Sequence, residues 1–509
     1  MKKLIINQDC TCMLSHIARY IEEGTFKEQD LIDFPKQFEG TQITDYFINV
    51  DAVFPSKVRS GFLGKYHQKT ENGKQVDYSG ERMTNAVHHM FEVMGIDHNA
   101  ILIEGFRKVG INPWISFRMN DIHGLNNETD MSKSDFYHAH PETRRVKFHP
   151  EYIFTNADLA YDYTYDCVRE HYLAYIEEAL DRYDAYGIEL DYQRECQLFG
   201  EGYYYDGREI MNDFMRKVKA LTEKYAKKYG HEIKIAARVL PDIQTNMDFG
   251  MNVMQWVKEG LVDMLIPTGR FESNDMDMPI DLWKTLLDGY NVELIAGIDM
   301  YMRPDPSYKP IHPSINTFAA CAASAYSQGA DGIYFFNFFH VNIHDPLDHS
   351  MELCFDPNLS VAANPIYWTV INTLADPEWV AKMNRHHIVT HKDIQPLWRR
   401  YCMGDQQLPQ TFWRQGGFKI HTGDIPNGAK LTFRFAIKDD EHLDILPRVF
   451  MNSEACEYIG TTKDERYSDY TLMCYDVPVS AFKKVACSYI IVKKTITVTY
   501  VDLLVEVAK

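Results

Sequence analysis

Residues Tyr183 to Glu195 read YDAYGIELDYQRE. A helical run ends near Tyr186, Gly187 breaks it, and Ile188 to Tyr192 read as a short strand. Period-two alternation sends Ile188 and Leu190 to one face of that strand and Glu189 and Asp191 to the other. Two carboxylates facing inward from a strand otherwise built for burial are unfavourable unless they are paired or used. Asp191 stands at the C-terminal end of the strand, where (β/α) barrels keep their chemistry. A buried ion pair with a nearby Arg is the plain alternative for either acid.

Strand-like runs alternate with helical patterns on both sides of this stretch. Before it come strands at Leu4–Gln8, Ile43–Val50 and Pro113–Met119, with helical runs at Ser15–Glu23, Glu81–Val93, Asn99–Val109 and Leu159–Tyr186. After it come strands at Ile233–Val239, Val262–Pro267, Val292–Ile298 and Gly332–Asn337, with helices at Ile210–Tyr229, Phe249–Glu259, Ile280–Leu287, Ile315–Ser327 and Pro365–Leu374. Eight β-α units in succession predict a (β/α)8 barrel over an open doubly wound sheet. An open sheet would place a Gly-rich phosphate turn after the first strand, and NQDCTC has no glycine there.

Past residue 388 the pattern changes to runs such as FKIHTG, KLTFRFAI, PRVFMN, YTLMCYDV, CSYIIVKK and TITVTYVDLLVEV, separated by turns such as GDIPNG. They predict an antiparallel β-sandwich. The expected domains are a barrel over 1–388 and a sandwich over 389–509. His391–Gln415 reads as the connector, with Trp398 and Trp413 packing one domain on the other.

With 45% hydrophobic and 25% charged residues, the 509-residue chain has the balance of an ordinary globular protein. Its formal net charge of −19 argues against nucleic acid or an anionic membrane as the main partner, and points to a neutral substrate. The start MKKLIINQDCTCML holds too short an apolar run for a signal sequence, and no run approaches the roughly 20 apolar residues of a membrane span. A cytoplasmic protein is the expectation, and a homo-oligomer is compatible with it. The ten Cys contain no C-x-x-C pair, which fits reduced thiols.

The barrel reading gathers the residues at the C-terminal strand ends. They are Asn7 and Asp9; Asn49 and Asp51; Arg118, Asn120, Asp121 and His123; Glu189, Asp191, Arg194 and Glu195; Arg238 and Asp242; Arg270 and Glu272; Asp299, Tyr301 and Arg303; Asn337 and His340. The opposite strand ends open with Lys, Thr, Gly or apolar residues, and such one-sidedness marks a barrel active site. Carboxylates abound, whereas no G-x-S-x-G, Walker-type loop or H-E-x-x-H occurs. Paired carboxylates in a polar cleft suit glycoside hydrolysis, one acid protonating the leaving oxygen while the other attacks or activates water.

Asp191 is the expected nucleophile or base, kept ionised by Arg118, Arg194 or Arg238. Asp299 is the preferred general acid, with Glu272 and Glu195 behind it. Glu189, two residues deeper, is expected to support the site in a pair with Arg118. Asp9, Asn49, Arg118, Asn120, Asp121, His123, Arg194, Arg238, Arg270, Tyr301 and Asn337 complete the expected substrate-binding set, with loop capping the alternative for Asn120, Asp121 and His123, and support from behind the ligands the alternative for Arg118 and Arg238. His138 and His140 in DFYHAHP, with His123, are the candidates for a metal, which would point to a sugar isomerase or epimerase. The primary expectation includes no metal and no cofactor.

SFRMNDIHG (116–124) and RYDAYGIELDYQRE (182–195) resemble an uncharacterised family of bacterial glycoside-hydrolase-like (β/α)8 proteins. In that family an R-M-N-D-x-H loop and a G-x-E-L-D-[FY]-x-R strand precede a C-terminal β-sandwich. The resemblance implies carbohydrate chemistry. In retaining α-glycosidases of barrel type an Asp ending strand four is the nucleophile, which agrees with Asp191. The chain departs from barrels that end strand four in Asn-Glu, because Tyr192 and Gln193 follow Asp191 and strand seven ends in Asp299. The expected activity is hydrolysis of a small oligosaccharide or glycoside. The alternatives are the metal-dependent isomerase or epimerase and a non-catalytic carbohydrate-binding barrel with Asp191 locked in a short ion pair.

Overall fold

The computed structural model describes residues 1–9, 17–50 except 19, 56–58, 70–71, 74–75, 86–121 except 88, 125, 133–145, 156–200 except 194, 204–269, 273–304 except 300, 311, 313–338, 365–390, 407–438, 445–482 and 485–507. Eight parallel strands close into a barrel: β1 (Lys3–Asp9), β2 (Asp45–Asn49), β3 (Asn112–Arg118), β4 (Gly187–Asp191), β5 (Lys234–Val239), β6 (Met264–Pro267), β7 (Glu293–Ile298) and β8 (Gly332–Phe335). Each pairs with its neighbours in sequence, and β8 returns to β1. The (β/α)8 expectation therefore holds.

Alternation divides each strand between two cores. Ile188 and Leu190 face outward into the apolar layer beneath the helices, where they join Ile176, Ala179 and Leu180 of α1 (Asp166–Arg182) and Val218 of α2 (Tyr204–Tyr229). Ile5, Phe47, Trp114, Ala236, Met264, Ile266, Ile295, Tyr334 and Phe336 form a separate cluster inside the barrel. The expected helix over Leu159–Tyr186 is shorter at both ends. Asp162 Oδ1 accepts from the Thr164 amide at 2.9 Å, a local turn that delays the start of α1. After α1, the Tyr186 amide donates to Pro113 O at 2.8 Å, drawing the chain into the sheet.

Gly187 is fixed by close packing inside the barrel. A Cβ there would lie 2.4 Å from the Trp114 ring and 2.8 Å from Lys234 O. Trp114 cannot yield easily, because its indole Nε1 donates to the buried Asp45 Oδ1 at 2.8 Å. Gly187→Ala is accordingly expected to lower the unfolding free energy by about 1–3 kcal/mol, read from denaturant midpoints.

The N-terminal end of the barrel corrects the expectation that ionisable groups gather at one end only. Lys3 Nζ pairs with Asp45 Oδ2 at 3.2 Å and with Glu293 Oε2 at 3.3 Å, and Asn112 Nδ2 also donates to Asp45 at 3.1 Å. These groups are paired with one another, and they plug the bottom of the barrel.

An antiparallel sandwich follows, built on β16 (Val485–Glu506), a continuous strand of 22 residues. CSYIIVKK and TITVTYVDLLVEV, expected as two strands, are one. Its first half pairs with β10 (Gln410–His421) on one side and β12 (Arg448–Met451) on the other. Its second half pairs with β11 (Lys430–Ile437) and with β9 (Arg385–Ile388). The register slips between Trp413 and Gln415, where Arg414 takes a φ of 76°. Such a bulge bends a strand and increases its local twist, here where β16 changes partners. β13 (Glu454–Ala455), β14 (Glu457–Thr462) and β15 (Leu472–Asp476) complete the sheets. The C-terminal sheet thus takes its first strand from residues 385–388, ahead of the connector. Trp413 does not pack between the domains, being 59% exposed on β10; Trp398 lies outside the described residues.

Candidate active site

β4 delivers both of its acids to the barrel interior, as alternation predicts. Register places Arg118, Asp191 and Arg238 in one row across β3, β4 and β5, and Ser116, Glu189 and Ala236 in the row below. Arg238 Nε donates to Asp191 Oδ1 at 2.7 Å and Arg238 Nη2 to Asp191 Oδ2 at 3.0 Å. This is the forked geometry in which guanidinium matches carboxylate best. The Gln193 amide adds a third bond to Asp191 Oδ1 at 3.0 Å. Arg238 Nη2 also donates to Gln193 O at 3.2 Å, and the guanidinium lies 3.8 Å from the centroid of the Phe336 ring. Asp191 is 2% exposed and Arg238 is fully buried.

Glu189 is fully buried, one layer deeper. Asn7 Nδ2 donates to its Oε2 at 3.3 Å and to Ser116 Oγ at 3.4 Å. The Tyr334 hydroxyl feels the Glu189 charge but stands outside good hydrogen-bonding alignment. Glu189 is therefore supported by Asn7, Ser116 and Tyr334, and the expected Arg118 partner is instead 3.4 Å from Asp121 Oδ2. Glu189 Oε1, Asn7 Oδ1, Tyr334 Oη and Gln193 Oε1 are buried without a hydrogen-bond partner among the described residues.

Burial pushes the Glu189 carboxyl up to about 8, with the charge of Asp191 adding to the rise and Arg238 opposing it. Burial also lifts Asp191, against the attraction of Arg238, Arg118 and the Gln193 amide. Burial works against the charge of Arg238, and Asp191 more than restores it. With a bidentate cation on Asp191 and none on Glu189, the proton that this coupled pair retains near neutrality sits on Glu189.

Asp299 follows β7 and is 4% exposed. Its Oδ1 accepts from the Tyr301 amide at 3.1 Å. Asn274, absent from the sequence expectations, shapes this end of the strand. Its Oδ1 accepts from the Asp299 amide at 2.7 Å, and its Nδ2 donates to Asp299 O and Tyr301 O at 2.8 and 3.0 Å. Glu195 is buried in the segment after β4, and Asn49 is buried at the end of β2. Asn337 is buried after β8 with a φ of 51°, a left-handed position that Asn tolerates better than most residues.

Asn120 is hydrogen-bonded within the protein. Its Nδ2 donates to Tyr161 O at 3.0 Å and Gln197 O at 2.9 Å, and its Oδ1 accepts from the Tyr161 amide at 3.0 Å. Both donors are engaged, so it clamps the segments after β3 and β4 together. The side chain of Asp9 and residues Asp51, His123, Arg194, Arg270, Glu272 and His340 lie outside the described residues. His138 and His140 belong to a short helical segment and its cap, and His140 Nδ1 contacts Glu142 at 2.9 Å. Among the described residues, no group of three or more His, Cys, Asp or Glu is placed to hold a metal ion. No described helix is long and apolar enough to cross a membrane.

The missed residues left different amounts of signal. Asn7 stood among the strand-end residues but was given no role, and Tyr334 and Ser116 could have been found by extending the inward alternation to every strand. Asn274 lies in a loop and gave none.

No family model and no curated protein matches the chain. Solved structures do. A glycoside hydrolase family 18 N-acetylglucosaminidase from Paenibacillus barengoltzii is 10% identical with a TM-score of 0.36, over 69% of this chain and 99% of that one. An alpha-fucosidase from Thermotoga maritima is 10% identical with a TM-score of 0.34, over 96% and 95%. A maltogenic alpha-amylase from Thermotoga neapolitana is 9% identical with a TM-score of 0.33, over 100% and 99%. Likenesses of this size decide nothing about activity, and the barrel itself rests on the strand pairing described above.

Proposed function

We propose that this chain hydrolyses glycosidic bonds at the C-terminal mouth of its barrel, acting on a small oligosaccharide or glycoside. The observation that carries the reading is the pair of buried carboxylates on β4 whose surroundings separate their protonation, Glu189 pushed up to about 8 while Arg238 grips Asp191. Buried carboxylates shifted in this way cluster at functional sites. In this reading Asp191 is the ionised group that attacks the anomeric carbon or activates water. Asp299, three strands further round the barrel, is the proton donor to the leaving oxygen, with Glu195 and Glu272 behind it. Glu189 is a neutral support beneath Asp191, and Arg118, Asp121, Tyr301 and Asn337 are proposed to meet the substrate's hydroxyls. The buried Asn7 and Gln193 oxygens, without a hydrogen-bond partner among the described residues, favour a polar ligand close by.

One observation favours a second reading. The Asp191 carboxylate accepts three hydrogen bonds, two of them from Arg238. A carboxylate so engaged is a weak nucleophile, as a barrel that binds carbohydrate without turnover would have. Incubating the purified protein with a panel of aryl glycosides and oligosaccharides, while following both released sugar and calorimetric binding, separates the two. Released sugar on at least one substrate is the expected result. Saturable binding across the panel with no release would overturn hydrolysis in favour of the binding reading.

A further inference from the structure

Trp413 stands on the solvent face of the C-terminal sheet. Phe418 and Ile420 of β10 and Ile490, Val492 and Ile496 of β16 point into the sandwich core, with Phe412 packed against it. Alternation therefore turns Thr411, Trp413 and Tyr489 outward. Thr411 Oγ1 lies 2.8 Å from Thr497 Oγ1, Trp413 pairs with Thr495, and Tyr489 sits between Gly417 and Phe450. Tyr489 is 40% exposed. A Cβ on Gly417 would be in ordinary contact with the Tyr489 ring at 3.6 Å, so the glycine leaves a bare floor beside that ring. Trp413 and Gly417 are separated along β10 by the bulge at Arg414.

The charge of this face is opposite to that of the molecule. β10, β12 and residues 485–498 of β16 carry Arg414, Lys419, Arg448, Lys493 and Lys494 and no Asp or Glu, in a chain with 72 acidic and 53 basic residues. All five cations are exposed; Lys419 also pairs with Asp277 at 3.4 Å. The Arg414 guanidinium lies 4.1 Å from the Trp413 ring centroid and that of Arg448 5.2 Å from Phe450.

We propose that this face binds a carboxylated saccharide chain, such as one built from uronic acids. Trp413 and Tyr489 would stack on the apolar faces of sugar rings, the threonine ladder would meet hydroxyls, and the cations would meet the carboxylates. Single-stranded nucleic acid also stacks on aromatic rings, but it offers phosphates and bases in place of the ring hydroxyls that the Thr411–Thr497 pair would meet. A uronate chain has one charge per sugar and a broad uncharged ring face. The site is on the C-terminal sheet and does not depend on the hydrolytic reading of the barrel.

Affinity electrophoresis of the full chain tests this, through gels containing polygalacturonate, dextran or no polysaccharide, beside Trp413→Ala, Tyr489→Ala and Lys493→Gln. Because the replaced side chains are exposed, unchanged melting temperatures serve as the folding control. Retardation by polygalacturonate alone is expected. It should fade as salt rises toward ~0.3 M, and the apparent Kd should weaken about tenfold in Trp413→Ala. No retardation, equal retardation by dextran, wild-type binding by all three variants, or binding of single-stranded DNA or anionic vesicles in place of polygalacturonate would each overturn the proposal.

Discussion

Arg238→Met is expected to lower the unfolding free energy by about 3–5 kcal/mol, the usual effect of leaving a buried charge without its partner. Methionine fills much of the arginine stem but supplies no donor. Asp191, 2% exposed, would lose its bonds at 2.7 and 3.0 Å and remain beside Glu189 with one cation fewer in the interior. The bond to Gln193 O and the stacking on Phe336 would go as well. Protonation of Asp191 is the route by which the variant would relax, so its deficit should shrink as pH falls toward the ordinary carboxylate value of 3.8. Removing the partner too, as Arg238→Met with Asp191→Leu, is expected to recover most of the loss, since a buried pair and an apolar pair of similar volume are often close in stability. Urea unfolding at pH 7 measures all three proteins. An Arg238→Met protein within 1 kcal/mol of wild type would show that the pair is not buried as described.

The second large effect is on the pH dependence of stability. Glu189 titrates near 8 when folded and near the ordinary 4.5 when unfolded. Between these values the folded chain holds a proton that the unfolded chain has released, so stability falls as pH rises through this window. Two buried histidines act in the opposite direction at lower pH. Burial lowers His98 to about 4 and His387 well below its ordinary value, so each adds stability as pH rises toward 6.5 and nothing further above it. Between pH 6.5 and 8 Glu189 contributes a limiting slope on the order of 1.4 kcal/mol per pH unit, in the same direction as His231, which burial lowers but its bond to Asp184 raises further. Wild type should therefore be markedly less stable at pH 8.5 than at pH 6.5. Glu189→Gln, which keeps the shape of the protonated acid, should flatten that fall. Equal slopes in the two proteins would show that Glu189 is not protonated in the folded state.

The barrel was legible because its eight strands carry apolar runs whose alternation is maintained, and because helix-length segments separate them. The inward direction of Glu189 and Asp191 followed from the same rule. The partner of Asp191 did not. Arg118, Arg194 and Arg238 were equal candidates, and only the register of β4 against β5 brings the Arg238 guanidinium into fork geometry. Asn120 shows a related limit, because an amide at a strand end serves a ligand or two backbone carbonyls equally well until the adjoining loops are placed. In the sandwich, Lys493–Thr495 looked like a break between strands, but a bulge opposite Arg414 absorbs the polar residues and β16 runs on. Residue type alone points to Trp413 as a buried domain contact, whereas it is 59% exposed. A large aromatic side chain gives no sign in the sequence of which face of a strand it occupies when a bulge intervenes.

The role of Asp191 as the reacting carboxylate is read from the hydrolysis rate of the best aryl glycoside by wild type and Asp191→Asn. Asparagine preserves volume and one acceptor toward Arg238 while removing the negative charge. A loss on the order of 10²–10⁴-fold in kcat is predicted, with melting behaviour recorded alongside to show that the variant is folded. Hydrolysis by folded Asp191→Asn at the wild-type rate would contradict the account.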